Sequence, residues 1–142
     1  MKLNRNKLAW LLAAVLTLGG AGIAEAQQMR NSSGSNIGRV ERDGRIYNSS
    51  GSYMGRIESD GRFYNSSGSY CGRIERDGRI YNSSGSYQGR VENDGRVYNS
   101  SGSYMGRIES GGRIYNSSGS YLGEARGIDT KMAAVLFFFK FN

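Results

Sequence analysis

One short motif recurs along the sequence at a fixed interval. Asn-Ser-Ser-Gly-Ser begins at positions 31, 48, 65, 82, 99 and 116, so the interval is 17 residues each time. A fixed period indicates one supersecondary unit in tandem copies, each of which packs against its neighbours. Five complete units span residues 31–47, 48–64, 65–81, 82–98 and 99–115, and residues 116–142 hold a partial sixth unit and the chain end.

Each unit contains two turn motifs and two short strands. In the Asp-Gly motif, an aspartate and a glycine stand between a glutamate and an arginine, which predicts a three-residue hairpin loop with glycine in the left-handed conformation. In that register Arg56 lies opposite Tyr64, and Ile57 lies opposite Phe63. A cation then meets an aromatic ring and two apolar side chains meet each other, as stable antiparallel pairs do.

The Asn-Ser-Ser-Gly-Ser motif forms the second turn. We expect a four-residue loop, 49–52, which pairs Tyr47 with Met54. This register keeps the aliphatic residues of neighbouring hairpins on one face, because side chains alternate along a strand. Tyr53 then lies on that apolar face, whereas Met54 lies with the arginines on the opposite face.

The two registers together predict a closed sheet. Ile57 pairs with Phe63 and Phe63 with Gly72, so 17 residues of chain move the pairing by 15 positions. The stagger is two residues per hairpin, and five hairpins give ten strands with a total stagger of ten. A stagger equal to the strand number suits a barrel whose strands tilt by about 36°. We therefore predict an all-β fold in which five tandem hairpins close into a five-fold pseudosymmetric ring or barrel.

Residues 1–26 have the pattern of a cleavable signal peptide. Three basic residues precede the apolar run Leu8 to Leu18, and Ala24-Glu25-Ala26 forms a small-residue cleavage site. The apolar run is too short for a transmembrane helix, which needs about 17–25 residues. The sequence therefore predicts export to the periplasm, the outer membrane or the cell exterior, with a single β-repeat domain over residues 27–142.

The C-terminal segment departs from the repeat after Gly123. The run from Met132 to Phe139 is almost wholly apolar and rich in β-prone residues. We predict that it forms a last strand, which closes or plugs the ring. A contact with a membrane or a partner is the alternative, although eight residues cannot span a bilayer as a helix.

The composition disfavours enzymatic and metal chemistry. The chain has no histidine and a single cysteine, Cys71, which replaces methionine, glutamine or leucine at one repeat position. A site that accepts those residues is a packing site. The aspartates precede turn glycines and the glutamates face arginines, and the copies are too alike to supply a general acid and a general base of different pKa. We therefore expect no enzyme activity, no metal and no cofactor.

Arginine and tyrosine provide the strongest functional motif. Loss of residues 1–26 removes three basic residues and one acidic residue, which changes the net charge from +7 to +5. We predict that arginine and tyrosine side chains recur on one face of the sheet as a binding face. Its members are Arg39, Arg56, Arg73, Arg90 and Arg107, with Tyr47, Tyr64, Tyr81, Tyr98 and Tyr115.

Such a face suits a glycan or a cell-wall polymer, which aromatic rings and bidentate guanidinium groups could hold at several equivalent positions. Export makes a nucleic acid an unsuitable partner. Alternatively, the same residues form ordinary cross-strand pairs that only stabilise the sheet. A self-assembling or purely structural envelope protein without a small ligand is the alternative function.

The repeat resembles a known family. The tandem Gly-Arg-Ile-Glu-x-Asp-Gly-Arg-Ile-Tyr-Asn-Ser-Ser-Gly-Ser-Tyr unit, the signal peptide and the Ala-Ala-Val-Leu-Phe-Phe-Phe end are similar to those of the five-fold β-flower proteins. These are small exported bacterial proteins. The resemblance extends over residues 31–139 and implies a ring of β-hairpins with five-fold pseudosymmetry. It implies no catalytic residues and no cofactor.

Overall fold

The computed structural model describes residues 27–139, and the predicted signal peptide lies outside the described residues. Twelve antiparallel strands form a closed barrel, and one helix, α1 (Thr130–Phe138), follows them. The strands are β1 (Gln28–Asn31), β2 (Asn36–Val40), β3 (Arg45–Asn48), β4 (Tyr53–Ile57), β5 (Arg62–Asn65), β6 (Tyr70–Ile74), β7 (Arg79–Asn82), β8 (Tyr87–Val91), β9 (Arg96–Asn99), β10 (Tyr104–Ile108), β11 (Arg113–Asn116) and β12 (Tyr121–Ala125).

The Asp-Gly hairpins have the predicted register. Arg56 lies opposite Tyr64 and Ile57 lies opposite Phe63, and the same pairs recur in the other copies. The Gly61 N–H donates to the carbonyl of Glu58 at 2.9 Å, which closes a three-residue loop. Gly61 has a φ of 90°, a conformation that side chains disfavour, so the glycine of this motif is required by the turn.

The loop predicted for the Asn-Ser-Ser-Gly-Ser motif is wrong by one residue. Asn48 N–H donates to the Ser52 carbonyl at 3.0 Å, so the loop contains residues 49–51. This is the same turn as in the Asp-Gly motif. The register then shifts at a β-bulge, so Tyr47 lies opposite Tyr53 and not opposite Met54.

The bulge explains how the short loop keeps the apolar residues on one face. Ile46 still lies opposite Gly55, as the alternation of side chains requires, because the bulge takes up the additional residue. The predicted faces of the two residues at the bulge are therefore exchanged. Tyr53 stacks against Tyr47 on the outer face, whereas Met54 lines a cavity inside the barrel mouth.

A closed barrel of tandem hairpins is confirmed, but it has twelve strands and not ten. Four Asp-Gly turns and one Gly-Gly turn, at residues 111–112, close five hairpins from β2 to β11. A sixth strand pair forms between β12 and β1, the last and the first strand of the barrel. Met29 and Ala125 lie opposite each other there, in the positions that Ile46 and Val40 occupy in their own pairs. Neither strand is among the ten predicted from the repeat, because β1 precedes the first unit, and in β12 Glu124 and Ala125 stand where the other units have an arginine and an isoleucine or valine.

Twelve strands create a lumen that side chains of the wall cannot fill. The stagger stays at two residues per hairpin, since Ile57 pairs with Phe63 and Phe63 with Gly72. With strands about 4.8 Å apart and tilted by about 36°, the barrel radius is about 11 Å. An α-helix with its side chains is about 10–12 Å wide, so one helix fits along the inside.

The C-terminal apolar run is that helix, so the predicted last strand is wrong. The Asp129 carboxylate caps α1 by accepting the backbone N–H groups of Lys131 and Met132 at 3.0 and 3.3 Å. The pairing of β12 with β1 leaves no free strand edge. A buried segment must satisfy its own backbone hydrogen bonds when no edge is available, and a helix does so. The burial of this run was predicted and is confirmed.

The core lies between the helix and the inner face of the barrel. One aliphatic or aromatic residue from almost every strand joins the helix residues Ala133, Ala134, Val135 and Phe139. Three wall residues have 0% exposure, namely Ile80, Val97 and Ile114. Within residues 27–139, no helix has the length and apolar character needed to cross a membrane. The core is therefore shared between the repeated wall and one segment that does not repeat.

Candidate functional site

The ten residues of the predicted binding face form five stacked pairs on the outside of the barrel. In each pair the guanidinium carbon lies 4.3–4.5 Å from the centroid of the tyrosine ring. The Asp-Gly hairpin produces this contact because it places the two residues directly opposite each other. The pairs are Arg39 with Tyr47, Arg56 with Tyr64, Arg73 with Tyr81, Arg90 with Tyr98, and Arg107 with Tyr115.

A second tyrosine series, which the sequence analysis placed on the inner face, joins the outer face. Each β-bulge brings one of these rings against a tyrosine of the first series, with centroids 5.7–5.9 Å apart and planes inclined by 58–63°. Edge-to-face rings at this distance attract each other. The series consists of Tyr53, Tyr70, Tyr87, Tyr104 and Tyr121. Both turn motifs have a glycine at the same position, which was a signal that both form three-residue loops. With a three-residue loop in the Asn-Ser-Ser-Gly-Ser motif, a bulge is needed to keep the apolar residues on one face.

Arginines also occupy directly opposed positions on the strands that the Asn-Ser-Ser-Gly-Ser turns connect. Four such pairs lie directly opposite one another: Arg45 with Arg56, Arg62 with Arg73, Arg79 with Arg90, and Arg96 with Arg107. Like charges in directly opposed positions destabilise a sheet. The arrangement therefore has a free-energy cost that recurs four times around the barrel.

Each opposed arginine pair and the neighbouring tyrosine pair form a four-residue set, which we call an Arg/Tyr cleft. The cleft of Arg79, Tyr81, Tyr87 and Arg90 lines a depression of about 500 Å³ that is open to solvent. The cleft that contains Arg45 is part of a larger depression of about 880 Å³, which extends along the Asp-Gly turns to Met132 of α1. Two guanidinium groups at the sides of two phenol rings can bind an anionic group and a flat ring surface together.

The arginines of the clefts are paired with carboxylates of their own strands. Arg56 lies 3.4 Å from Glu58, and Arg45 lies 3.4 Å from Asp43. These side chains are between 38% and 58% exposed, so such ion pairs contribute little to stability. A ligand anion can therefore replace a carboxylate at small cost.

Two tyrosines of the second series raise the pKa of a neighbouring arginine. The pKa of the Arg90 guanidinium is raised above its ordinary value, and the largest cause of this shift is a hydrogen bond with Tyr87. For Arg56, burial lowers the pKa, but hydrogen bonds with Tyr53 and Glu58 outweigh it and the net pKa is raised. The chain contains no histidine, so no side chain of that type changes the charge of the face near neutral pH.

The closing pair, β12 with β1, interrupts the series. Glu124 occupies the position of the stacked arginines and Arg30 that of the stacked tyrosines, and their charged groups lie 3.8 Å apart. Arg113 lies opposite Glu124, and Gln28 lies opposite Arg39, so neither junction has an opposed arginine pair. The outer face therefore has four complete Arg/Tyr clefts and one polar seam.

The recurring carboxylates have the structural role that the sequence predicted at the turns. The Asp60 carboxylate accepts the backbone N–H of Arg62 at 3.1 Å, and the equivalent aspartates make the same bond. In the part of the chain that the structure describes, no three histidine, cysteine, aspartate or glutamate residues come together as a metal site. The Arg/Tyr clefts are thus the chemically most distinctive feature of the outer surface.

Comparison with known proteins agrees with the architecture. A family model described as "5-fold beta-flower protein" matches residues 26–142, which includes every strand and the helix. No curated protein sequence matches the chain.

Proposed function

This chain belongs to the 5-fold beta-flower family, and from that premise we propose that it is an exported, non-enzymatic binding module for acidic glycans or anionic cell-wall polymers. The outer Arg/Tyr clefts are the binding sites. The polymer lies across neighbouring clefts, so that several weak contacts act together.

The opposed arginine pairs are the observation that carries this proposal. Arg79 and Arg90 lie side by side across two strands, and three other pairs repeat the arrangement. A sheet that needed only stability would place opposite charges in these positions. A sulfate, phosphate or carboxylate between the two guanidinium groups would turn the repulsion into two charge-assisted hydrogen-bonded contacts.

The tyrosine pairs add specificity for a ring-containing polymer. Tyr81 and Tyr87 lie beside the arginine pair of their cleft, and their ring planes are inclined to each other by 61°. Tyrosine offers a rigid apolar surface and a hydroxyl at small cost in conformational entropy. A sugar residue can rest on the rings while its acidic substituent reaches the arginines.

Repetition of the cleft favours a polymer over a small anion. Successive hairpins place four clefts around one barrel, in the same orientation relative to their strands. Attachment at one cleft raises the effective concentration of the next polymer unit at the neighbouring cleft. Binding of a long chain should therefore be stronger than binding of its isolated units by a factor of about 10²–10⁴.

Dextran sulfate and uncharged dextran form a matched pair of probes for this proposal. We expect the barrel domain, residues 27–142, to bind dextran sulfate in isothermal titration calorimetry and to show no heat with dextran. Arg73→Gln combined with Arg90→Gln removes one arginine from each of two neighbouring clefts. Binding should weaken at least 10-fold in this variant.

Arg76→Ser is the control, because it removes an exposed positive charge at a repeat position where Ser59 and Ser110 already stand. It should change the affinity less than 2-fold. An equal loss of binding free energy per charge removed in the two variants would mean that net charge alone attracts the polymer. A lowered melting temperature with unchanged binding in the double variant would instead support the structural alternative.

A further inference from the structure

A separate cavity lies inside the barrel, at the end that carries the Asn-Ser-Ser-Gly-Ser turns. It has a volume of about 350 Å³, and it lies between α1 and the strands from β1 to β6. Its lining is mainly apolar, and Met29, Phe63, Cys71 and Phe139 in that lining are all less than 10% exposed. Small-molecule sites in proteins are clefts of about 300–1,000 Å³ with mainly apolar walls. The size and lining are therefore those of a ligand site.

The cavity exists because the helix does not contact all sides of the barrel equally. A Cβ atom on Gly106 would lie 2.9 Å from the ring of Phe138, and one on Gly89 would lie 2.9 Å from the ring of Phe139. These contacts place the end of the helix against β8 and β10. On the opposite wall, residues 27–139 leave Ile37 of β2 and Met54 of β4 exposed at the mouth.

One repeat position shows the asymmetry directly. The residue before the inner glycine points into the mouth, and its six occupants are Ile37, Met54, Cys71, Gln88, Met105 and Leu122. Met105 and Leu122 pack against the core, whereas Ile37 and Met54 are 40% and 51% exposed. Both exposed side chains line the cavity. Two large apolar side chains at an open mouth of an apolar cavity indicate an entrance.

We propose that this cavity binds one alkyl or acyl chain of a small single-chain amphiphile. Phe63, Cys71 and Phe139 form a buried apolar part of the lining, so an apolar chain fits there. The lining also includes one charged residue, Arg56, whose guanidinium group is stacked on Tyr64. The mouth is bordered by Asn48 and Asn65 of the polar turns, so a polar head group can stay in water. Flexible sulfur side chains such as Met29 and Met54 adapt to a chain without fixed shape.

The test uses uncharged ligands, so the outer arginines take no part in it. The probe is N-phenyl-1-naphthylamine, a neutral dye that fluoresces in apolar surroundings, and the competitors are the straight-chain alcohols from 1-hexanol to 1-decanol. Burial of one methylene contributes about 0.8 kcal/mol, so the Kd should fall about 4-fold with each added carbon until the chain fills the cavity. Failure to displace the dye, or displacement without dependence on chain length, would overturn the proposal.

Cys71→Met is the matched variant, because methionine already stands at the equivalent positions 54 and 105. The larger side chain fills part of the cavity and should weaken alcohol binding at least 10-fold without lowering the melting temperature. Gln88→Met introduces methionine at the equivalent position two strands further on. Gln88 is not part of the cavity lining, so this change should alter the Kd less than 2-fold. Equal affinity in the wild type and Cys71→Met would contradict the assignment.

A second readout uses the thiol itself. Cys71 is 6% exposed and is the only cysteine of the chain, so a neutral alkylating reagent reports on access to the cavity. 1-Decanol should slow alkylation at least 5-fold at saturation. The same measurement on a chain that ends at Phe139 separates an external ligand from the chain's own last three residues. Protection by 1-decanol only in the shortened chain would overturn the proposal.

Discussion

The barrel wall and the helix inside it bury apolar surface in different ways. The wall uses two regularly buried positions per 17-residue unit, with a third near the mouth that is buried only in some units, and it relies on neighbours that repeat them, from Val40 to Ile114. The helix is a single segment in which Ala133, Ala134 and Val135 are all buried, and it has no second copy. A defect in one wall unit therefore leaves the other units in place, whereas a defect in the helix affects every strand that it contacts.

Removal of the helix should have the largest effect. Ending the chain at Asp129 removes the buried residues from Ala133 to Phe139 and opens the lumen to water. Loss of one buried aromatic side chain alone costs about 3–5 kcal/mol, and domains are stable by only about 5–15 kcal/mol. We expect no cooperative unfolding transition by circular dichroism. A chain that ends at Phe139 is the control, and a truncated barrel melting within 5 °C of it would contradict the comparison.

A cavity in the wall should have a smaller effect that is the same in different units. Ile80→Ala and Ile114→Ala remove fully buried side chains from equivalent positions, each at 0% exposure. Each should lower the free energy of unfolding by about 2–5 kcal/mol in urea denaturation. The two values should agree within about 1 kcal/mol, because repeat proteins sum nearly equal unit and interface contributions. A large disagreement would mean that the helix, and not the repeat, determines local stability.

The contact between the wall and the helix can be tested at one glycine. In Gly106→Ala, the new methyl group would meet the Tyr115 carbonyl and the Phe138 ring. We expect a loss of about 2–4 kcal/mol in thermal or urea unfolding, from overpacking and backbone strain. Gly102→Ala is the control, since its φ is also positive but nothing lies within 4 Å, so only about 1–2 kcal/mol should be lost.

The outer stacks should contribute least. Arg73→Gln removes the guanidinium that lies 4.5 Å from the centroid of the Tyr81 ring, at a largely exposed site. A cation–π contact in water is worth about 0.5–1 kcal/mol, so the melting temperature should fall by a few degrees at most. A loss above about 2 kcal/mol would show that the outer face is part of the structural framework, which would weaken the case for a binding role.

The parts of the fold that could be predicted from the sequence are those that repeat. The Arg56 and Tyr64 pair follows from a turn in which glycine, charge and alternation all agree. The bulge beside Met54 was missed because side-chain alternation alone allows either a longer loop or a bulge. The helix was missed because its composition suits a strand, and only closure of the barrel by β1 makes a helix necessary.

The candidate site could be predicted in part for the same reason. The five stacks with Arg39 and its equivalents follow from hairpin register, and the structure brings them together as expected. The opposed arginines follow from a pairing that the bulge leaves unchanged, since Arg79 and Arg90 flank the pair of Ile80 with Gly89. The tyrosine pairs depend on the bulge, so the clefts that contain Tyr81 and Tyr87 could not be assembled from the sequence. The cavity beside Cys71 depends on the position of the helix, and no local pattern encodes that.

The pairing of β1 with β12 also implies an order of events during folding. Each Asp-Gly hairpin joins neighbours close in sequence, whereas Met29 pairs with Ala125, which lies 96 positions later. The entropy of closing this long loop must be lost before the contact forms, so hairpins should assemble early and the ring should close last. Until then the sheet has two open edges, to which a second partly folded chain can add. The time needed for ring closure, and not native stability, thus sets the period in which this protein is vulnerable to misassembly.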